Sequence, residues 1–303
     1  MDAKEAMSRA RENNIVIPAF NIAHLPMMKP VVQAVVDENS VAMIQVARVE
    51  WEKMGAGSIE ATAEEYGKCG DSAHTLLHLD HVPAVDEDYA SVEYKPLIER
   101  AIAAGYQSVM IDGSRLPLEE NIAVTEEVVA MAHGAGIPCE AELGAVMGHE
   151  SGPMPPYKEI FASKMGFTLL EEALYFVSRT GVDWLSIAAG NIHGSIAEAT
   201  KNEKKPEARL DIAHIGALYE ATKVPLVLHG GSGIKIEHIR EAISAGIAKI
   251  NVGTEIRQTY ELSLSGSGGN NERACRDVYE RIRNIISDLL RISNSRTTLA
   301  LDA

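Results

Sequence analysis

Eight short apolar runs, each ending in or leading into polar residues and separated by stretches of helical character, restrict the fold of this chain more than any other feature. The runs span 15–20, 40–46, 75–80, 108–111, 137–143, 184–188, 225–228 and 248–250. Helices are predicted over 2–12, 27–38, 59–67, 94–104, 116–134, 169–179, 211–222 and 235–245. Their boundaries are set by Ser58 as a cap, Pro117 in a first turn and Gly105 and Gly134 as stops. Strands alternating with helices imply a parallel sheet, and eight of them imply an α/β fold, the (β/α)8 TIM barrel. The strand ends carry Asn21, Asp80-His81, Asp112, Glu142, His193, His229 and Asn251. In such a barrel the C-terminal ends of the strands form the mouth where chemistry is done.

The 303 residues are expected to form one domain, 1–303. Residues 265–271 (SGSGGNN) read as a flexible linker. They precede an extra C-terminal helix over 272–291, whose apolar face (Val278, Ile282, Ile285, Ile286, Leu289) suits a core or a partner subunit. The last dozen residues read as frayed. The formal charge of -15 disfavours nucleic acid and anionic membrane as partners. Three scattered cysteines without a CxxC pair fit a reducing compartment, and no segment has the apolar length of a signal peptide or membrane span, so a cytoplasmic protein is expected.

His78-Leu79-Asp80-His81 closes the third run with two imidazoles and a carboxylate. Alternation along a strand places His78 and Asp80 on one face, and Pro83 is expected to end pairing soon after His81. His81, His193 and His229 follow the third, sixth and seventh strands and could converge on one metal ion. Three imidazoles suit zinc and leave a coordination position open for a substrate oxygen. Gly230-Gly231-Ser232-Gly233 and Gly253-Thr254, after strands seven and eight, match the phosphate site common in this fold, where backbone amides and helix starts attract an anion. A Lewis-acid metal beside a phosphate cradle points to a phosphorylated carbonyl substrate, with Asp80 and Glu150 placed to move protons.

In these residues the chain resembles the class II, zinc-dependent ketose-bisphosphate aldolases, which include the fructose- and tagatose-bisphosphate enzymes. The resemblance runs from Pro18-Ala19-Phe20-Asn21 through HLDH (78–81), SVMIDGS (108–114), EAELG (140–144), GNIHG (190–194), LHGGSG (228–233) and KINVGTE (249–255). It implies reversible cleavage of a phosphorylated ketose, fructose or tagatose 1,6-bisphosphate or else a different ketose 1-phosphate derivative, to dihydroxyacetone phosphate and an aldehyde, with Zn2+ held by His81, His193 and His229. Asp80 is implied as acid/base on the aldehyde half and Glu150 as the proton carrier on the other half. Asp112 and Glu142 match positions that either hold a second divalent ion or serve as buried hydrogen-bonding groups. Asn21, Gly194, Gly230, Gly231, Ser232, Asn251, Gly253 and Thr254 are implied around the dihydroxyacetone phosphate half, with Na+ or K+ sharing that site. A homodimer or homotetramer is the implied assembly.

Departures gather on the aldehyde side. Gly253 stands where fructose-bisphosphate enzymes carry aspartate and tagatose-type enzymes a small residue. Ala47-Arg48-Val49-Glu50 replaces the usual small hydroxyl residue or glycine after strand two, and the loop over 145–167 is long and proline-rich. Arg257 matches a distal-phosphate position of some relatives, with Arg48 as its rival, although a surface salt bridge is the favoured reading of Arg48. Two other readings are a zinc hydrolase on the same barrel, opposed by Asn21-Ile22-Ala23-His24 where an H-x-H pair is usual, and a metabolite-binding protein without catalysis.

Overall fold

The computed structural model describes residues 1–145, 157–191, 208–231 and 234–301. Eight parallel strands close a barrel in sequence order: β1 (Ile17–Asn21), β2 (Ala42–Ala47), β3 (Thr75–Pro83), β4 (Ser108–Asp112), β5 (Cys139–Leu143), β6 (Trp184–Ile187), β7 (Leu226–Leu228) and β8 (Ile247–Val252). This is the (β/α)8 barrel that the alternating runs predict. The outer ring comprises α2 (Met28–Asp37), α4 (Ile59–Cys69), α5 (Tyr94–Ala103), α6 (Leu118–Gly134), α8 (Leu170–Thr180), α9 (Ile212–Thr222), α10 (Ile236–Ala245) and α11 (Thr254–Gly266), preceded by α1 (Ala3–Glu12). Short helices not anticipated include α3 (Arg48–Lys53) and α7 (Tyr157–Ser163). The start of α3 is held by the carboxyl of Glu50, which accepts from the Ala47 amide at 2.6 Å.

Period-two alternation sorts each strand between two apolar clusters. Phe20, Ile44, Leu77, Leu79, Val109, Ile111, Leu185, Leu228 and Ile250 face outward into the layer shared with the helices. Ile17, Met43, Leu76, Trp184 and Val227, near the strand starts, face inward and meet Ala3, Ala6, Met7 and Ala10 of α1, which plugs that end of the barrel. Higher up, the inward positions turn polar.

The C-terminal segment differs from expectation. The predicted helix is α12 (Asn271–Asn284) followed by a π-helical turn, Ile285–Leu290. Val278, Ile282, Ile285 and Ile286 are buried in the protein's own outer cluster, so that face serves the core. Residues 265–271, read as a linker, comprise the end of α11, a turn and the start of α12. Gly269 donates to the Leu264 carbonyl at 2.8 Å, and the Asn270 side chain caps α12. The last residues are not frayed up to Leu301: α13 (Ser295–Leu299) delivers Leu299 and Leu301 to the plug cluster, where burial of apolar surface outweighs chain entropy. Among the described residues no helix is long and apolar enough to cross a membrane.

Met7 is fully buried in the plug. Replacing it with Ala should lower unfolding free energy by roughly 2–5 kcal/mol, the usual cost of an unfilled core methionine site. The same change at Leu262, which is 59% exposed, should stay within about 0.5 kcal/mol. Urea unfolding of the two variants checks both.

Candidate active site

Neighbouring residues on a strand normally face opposite ways, yet Asp80 and His81 both reach the barrel mouth. The β3–β4 register explains it. Leu79 pairs with Val109 and Val82 with Ile111, so Asp80 and His81 together stand opposite Met110 alone. This is a β-bulge, and it re-aims a side chain. His81 takes a φ of 36°, a left-handed conformation that a non-glycine residue adopts only under constraint. Pairing continues past His81 and ends, as expected, at Pro83, opposite Asp112. A second bulge, between β7 and β8, brings Lys249 to the barrel interior one residue beyond Ala248.

Three side-chain amides grip Asp80. Asn21 Nδ2 and Gln45 Nε2 donate to its Oδ2 at 2.9 and 3.1 Å, and Asn251 Nδ2 donates to its Oδ1 at 3.0 Å. Burial alone would raise this carboxyl. The charges of His81 and Lys249 outweigh burial and hold it well below the usual carboxylate range, so Asp80 is ionised. Glu50, behind Asn21, is the opposite case. Burial pushes it up to about 8, against the hydrogen bonds from Ala47 and Asn21, and leaves it largely protonated at neutral pH.

The His81 and His229 rings lie 4.4 Å apart, edge to face. His81 Nδ1 is 3.4 Å from Asp112 Oδ2 and 4.0 Å from Glu142 Oε2, and His229 Nδ1 is 3.0 Å from the same Glu142 oxygen. Burial opposes charge on His81, but Asp80, Asp112 and Glu142 push its imidazole up to about 10. Asp112 is also buried, yet its hydrogen bond with His81 brings it down to about 2, while burial and Asp112 raise Glu142. Ligand atoms of Asp80, His81 and His229 lie within 4.8 Å of one another, as do those of His81, Asp112 and Glu142. Imidazoles and carboxylates this close, in a field that favours positive charge, fit a divalent ion such as zinc.

Beneath this layer lies a tier absent from the predicted site. Glu140 Oε1 accepts from His229 Nε2 at 2.8 Å, and Glu140 Oε2 meets Lys249 Nζ at 2.8 Å, all three side chains fully buried. Burial opposes the ionised form of Glu140, but Lys249 and His229 bring its carboxyl down to about 2. The carboxylate on Nε2 orients the His229 ring and leaves Nδ1 on the side of the mouth, beside Glu142. His78 lies 3.6 Å from Glu140, and burial with the Lys249 charge pushes it down to about 3, so it is neutral and bonds Ser108 Oγ at 2.8 Å. Period-two spacing from Glu142 and Asn251 points to Glu140 and Lys249, which was the available signal.

The remaining expected residues divide. Gly230 has a φ of 66°, and a Cβ on Gly231 would lie 2.6 Å from Ile250, so both loop glycines answer a conformational or steric need. Gly253 caps α11, and a Cβ there would lie 3.2 Å from Asn21, which an aspartate would crowd. Thr254 is the first residue of that 13-residue helix. Arg257 is buried, its Nη1 2.8 Å from Glu261, which also meets His24 at 3.0 Å. Arg48 is shared by Glu52 at 2.8 Å and Asp86 at 3.3 Å. Glu150, His193, Gly194 and Ser232 lie outside the described residues.

Removing one partner of a buried ion pair leaves a charge without compensation. Lys249→Met should therefore destabilise the fold by roughly 3–5 kcal/mol. Adding Glu140→Gln to it should restore much of the loss, because the two sites couple. A double-mutant cycle by denaturant unfolding measures this.

The family described as "Fructose-bisphosphate aldolase class-II" matches residues 1–297. The D-tagatose-1,6-bisphosphate aldolase subunit GatY of Klebsiella oxytoca is 34% identical over 264 residues, covering 87% of this chain and 84% of that protein. The YdjI aldolase of Escherichia coli K12 superposes with a TM-score of 0.75 at 27% identity, over 97% of this chain and 98% of that one. A putative fructose-1,6-bisphosphate aldolase from Coccidioides immitis gives 0.77 at 26%, over 98% of both chains. With a family match over nearly its whole length, this chain belongs to the class II fructose-bisphosphate aldolase family and is an aldolase.

Proposed function

We propose that this protein reversibly cleaves a ketose 1-phosphate to dihydroxyacetone phosphate and an aldehyde, using a zinc ion held by His81, His193 and His229. The observation that carries the reading is the β3 bulge, which brings an ionised Asp80 and the His81 imidazole to one mouth, with the His229 ring 4.4 Å from His81. Bound zinc would polarise the substrate carbonyl and stabilise the negative charge that accumulates as the carbon–carbon bond breaks.

The chain's own groups do the rest. Asp80 takes the proton from the C4 hydroxyl as the C3–C4 bond breaks, the aldehyde leaves, and the bonding pair stays on C3. Its three amide donors lower its basicity but fix both oxygens, so the acceptor is positioned before the substrate arrives. Glu150 delivers the proton to C3. The phosphate binds at Gly194, Gly230, Gly231, Ser232, Gly253 and Thr254, where backbone amides and the start of α11 favour an anion. Asn251 Oδ1 is buried without a hydrogen-bond partner among the described residues and suits a hydroxyl of the same half. Asn21, which holds Asp80, borders that half, and Na+ or K+ could share the phosphate site. Asp112 and Glu142 either accept a second divalent ion or orient His81 and His229. Exposed Leu169, together with Leu170, Leu174 and Tyr175 of α8, supports a homodimer or homotetramer. Free Cys69, Cys139 and Cys275 fit the cytoplasm.

Asp80→Asn should keep the metal but lower kcat by about 10²–10⁴-fold, the usual worth of a positioned acid/base. Dihydroxyacetone phosphate release, alongside metal content by atomic absorption, measures both. Unchanged turnover would rule out the role given to Asp80. A chelator should abolish release in the wild type, and zinc should restore it. His229→Ala should lose metal even in zinc-supplemented buffer. Full activity after verified metal removal would overturn the zinc assignment.

A further inference from the structure

The two halves of the substrate meet opposite sides of the barrel. The phosphate loops follow β7 and β8, while a small open cleft lies beside His81 and Asp112, at the ends of β2, β3 and β4. A ketose with its phosphate on the first side and its carbonyl between His81 and His229 must extend its far end into that cleft. Besides the two site residues, the charged groups lining it are Arg48, Arg115, Glu52, Asp86 and Glu87.

Their pairing decides what this end of the substrate can be. Arg48 is held by both Glu52 and Asp86, and Lys53 reaches in to pair with Glu87. Asp86 is held below its ordinary pKa by the Ala90 and Asp88 amides and by Arg48. Glu87 is held below its own by Lys53, against the pull of burial, so both are ionised. Among the described residues three cations therefore face three carboxylates, and together they offer an anion no net positive charge. Arg115 is the one of these cations without an ion pair among the described residues, and its guanidinium lies over the ring of Tyr89, 5.2 Å from the centroid. Arg257, the other basic residue expected to serve a distal phosphate, is committed to Glu261. A phosphate dianion here would have to part Arg48 from two carboxylates or rely on Arg115 while facing three of them. Hydroxyl groups meet no such obstacle, since carboxylates accept from them and guanidinium donates to them.

Resting on the aldol reading above, we propose that the site takes a ketose 1-phosphate whose far end bears hydroxyls instead of a second phosphate, with Glu52, Asp86 and Glu87 as the residues that set this preference. The test runs the reaction toward condensation, giving the zinc-loaded enzyme dihydroxyacetone phosphate with matched aldehydes: glyceraldehyde and glyceraldehyde 3-phosphate, erythrose and erythrose 4-phosphate, in both enantiomers. The phosphate-free aldehyde of the productive pair should have the higher kcat/KM by about tenfold or more, as expected where like charges meet. High salt should narrow the ratio. Glu52→Gln/Glu87→Gln should narrow it by about tenfold, chiefly by raising turnover of the phosphorylated partner. Arg115→Met should leave the phosphate-free preference in place. Equal or better use of the phosphorylated aldehyde by the wild type overturns this inference alone. So does a ratio unmoved by the double substitution, or phosphorylated turnover that depends on Arg115. No condensation with any aldehyde overturns the aldol reading and takes this inference with it.

Discussion

Glu140 is a carboxylate with no exposure to water, and such a group is tolerable only when its charge is answered on the spot. Lys249 answers one oxygen and His229 the other. These two contacts tie β5, β7 and β8 together across the barrel interior. They also orient the His229 ring, with Nδ1 on the side of the mouth. Below this tier the interior is sealed by Met7, Trp184 and their neighbours. With water excluded there, electrostatic interactions are stronger than at the surface, and a misplaced charge costs more. Mouth chemistry and barrel stability therefore draw on one set of contacts.

The second constraint is the bulge in β3. A regular strand would present Asp80 and bury His81 against the helices, or the reverse. The inserted residue, with His81 at positive φ, lets both converge. The strain is sustained by pairing on either side, from Leu79 opposite Val109 to Pro83 opposite Asp112. The three amides on Asp80 come from β1, β2 and β8, so its orientation depends on closure of the barrel, not on β3 alone.

The mouth is electrostatically lopsided. The β7 and β8 side offers glycine loops and a helix start, groups that welcome an anion without a dedicated side-chain charge. On the β2 to β4 side, full charges are largely paired with one another.

Much of this was legible in the sequence because the signals are local. Eight apolar runs with polar ends specify a barrel through strand and helix periodicity, and Asp80, His81, His229, Gly230 and Asn251 fall at strand ends for the same reason. The interior tier was less legible. Glu140 and Lys249 sit within apolar stretches, and only closure of the barrel brings residues 109 positions apart within 2.8 Å. The bulge could not be read, because pairing register is a property of two strands and not of one. The C-terminal residues looked frayed since their apolar positions are few, and docking on α1 buries them. Arg48 could be read as an anion ligand or, preferably, as a salt-bridge residue, and it is the latter; its partner Asp86, which a turn after β3 folds back toward it, could not be named from the sequence. Short-range pattern thus determined the fold class and the candidate chemistry. Long-range contact, whose strength depends on which charges are brought together away from water, decided how those groups are oriented and charged.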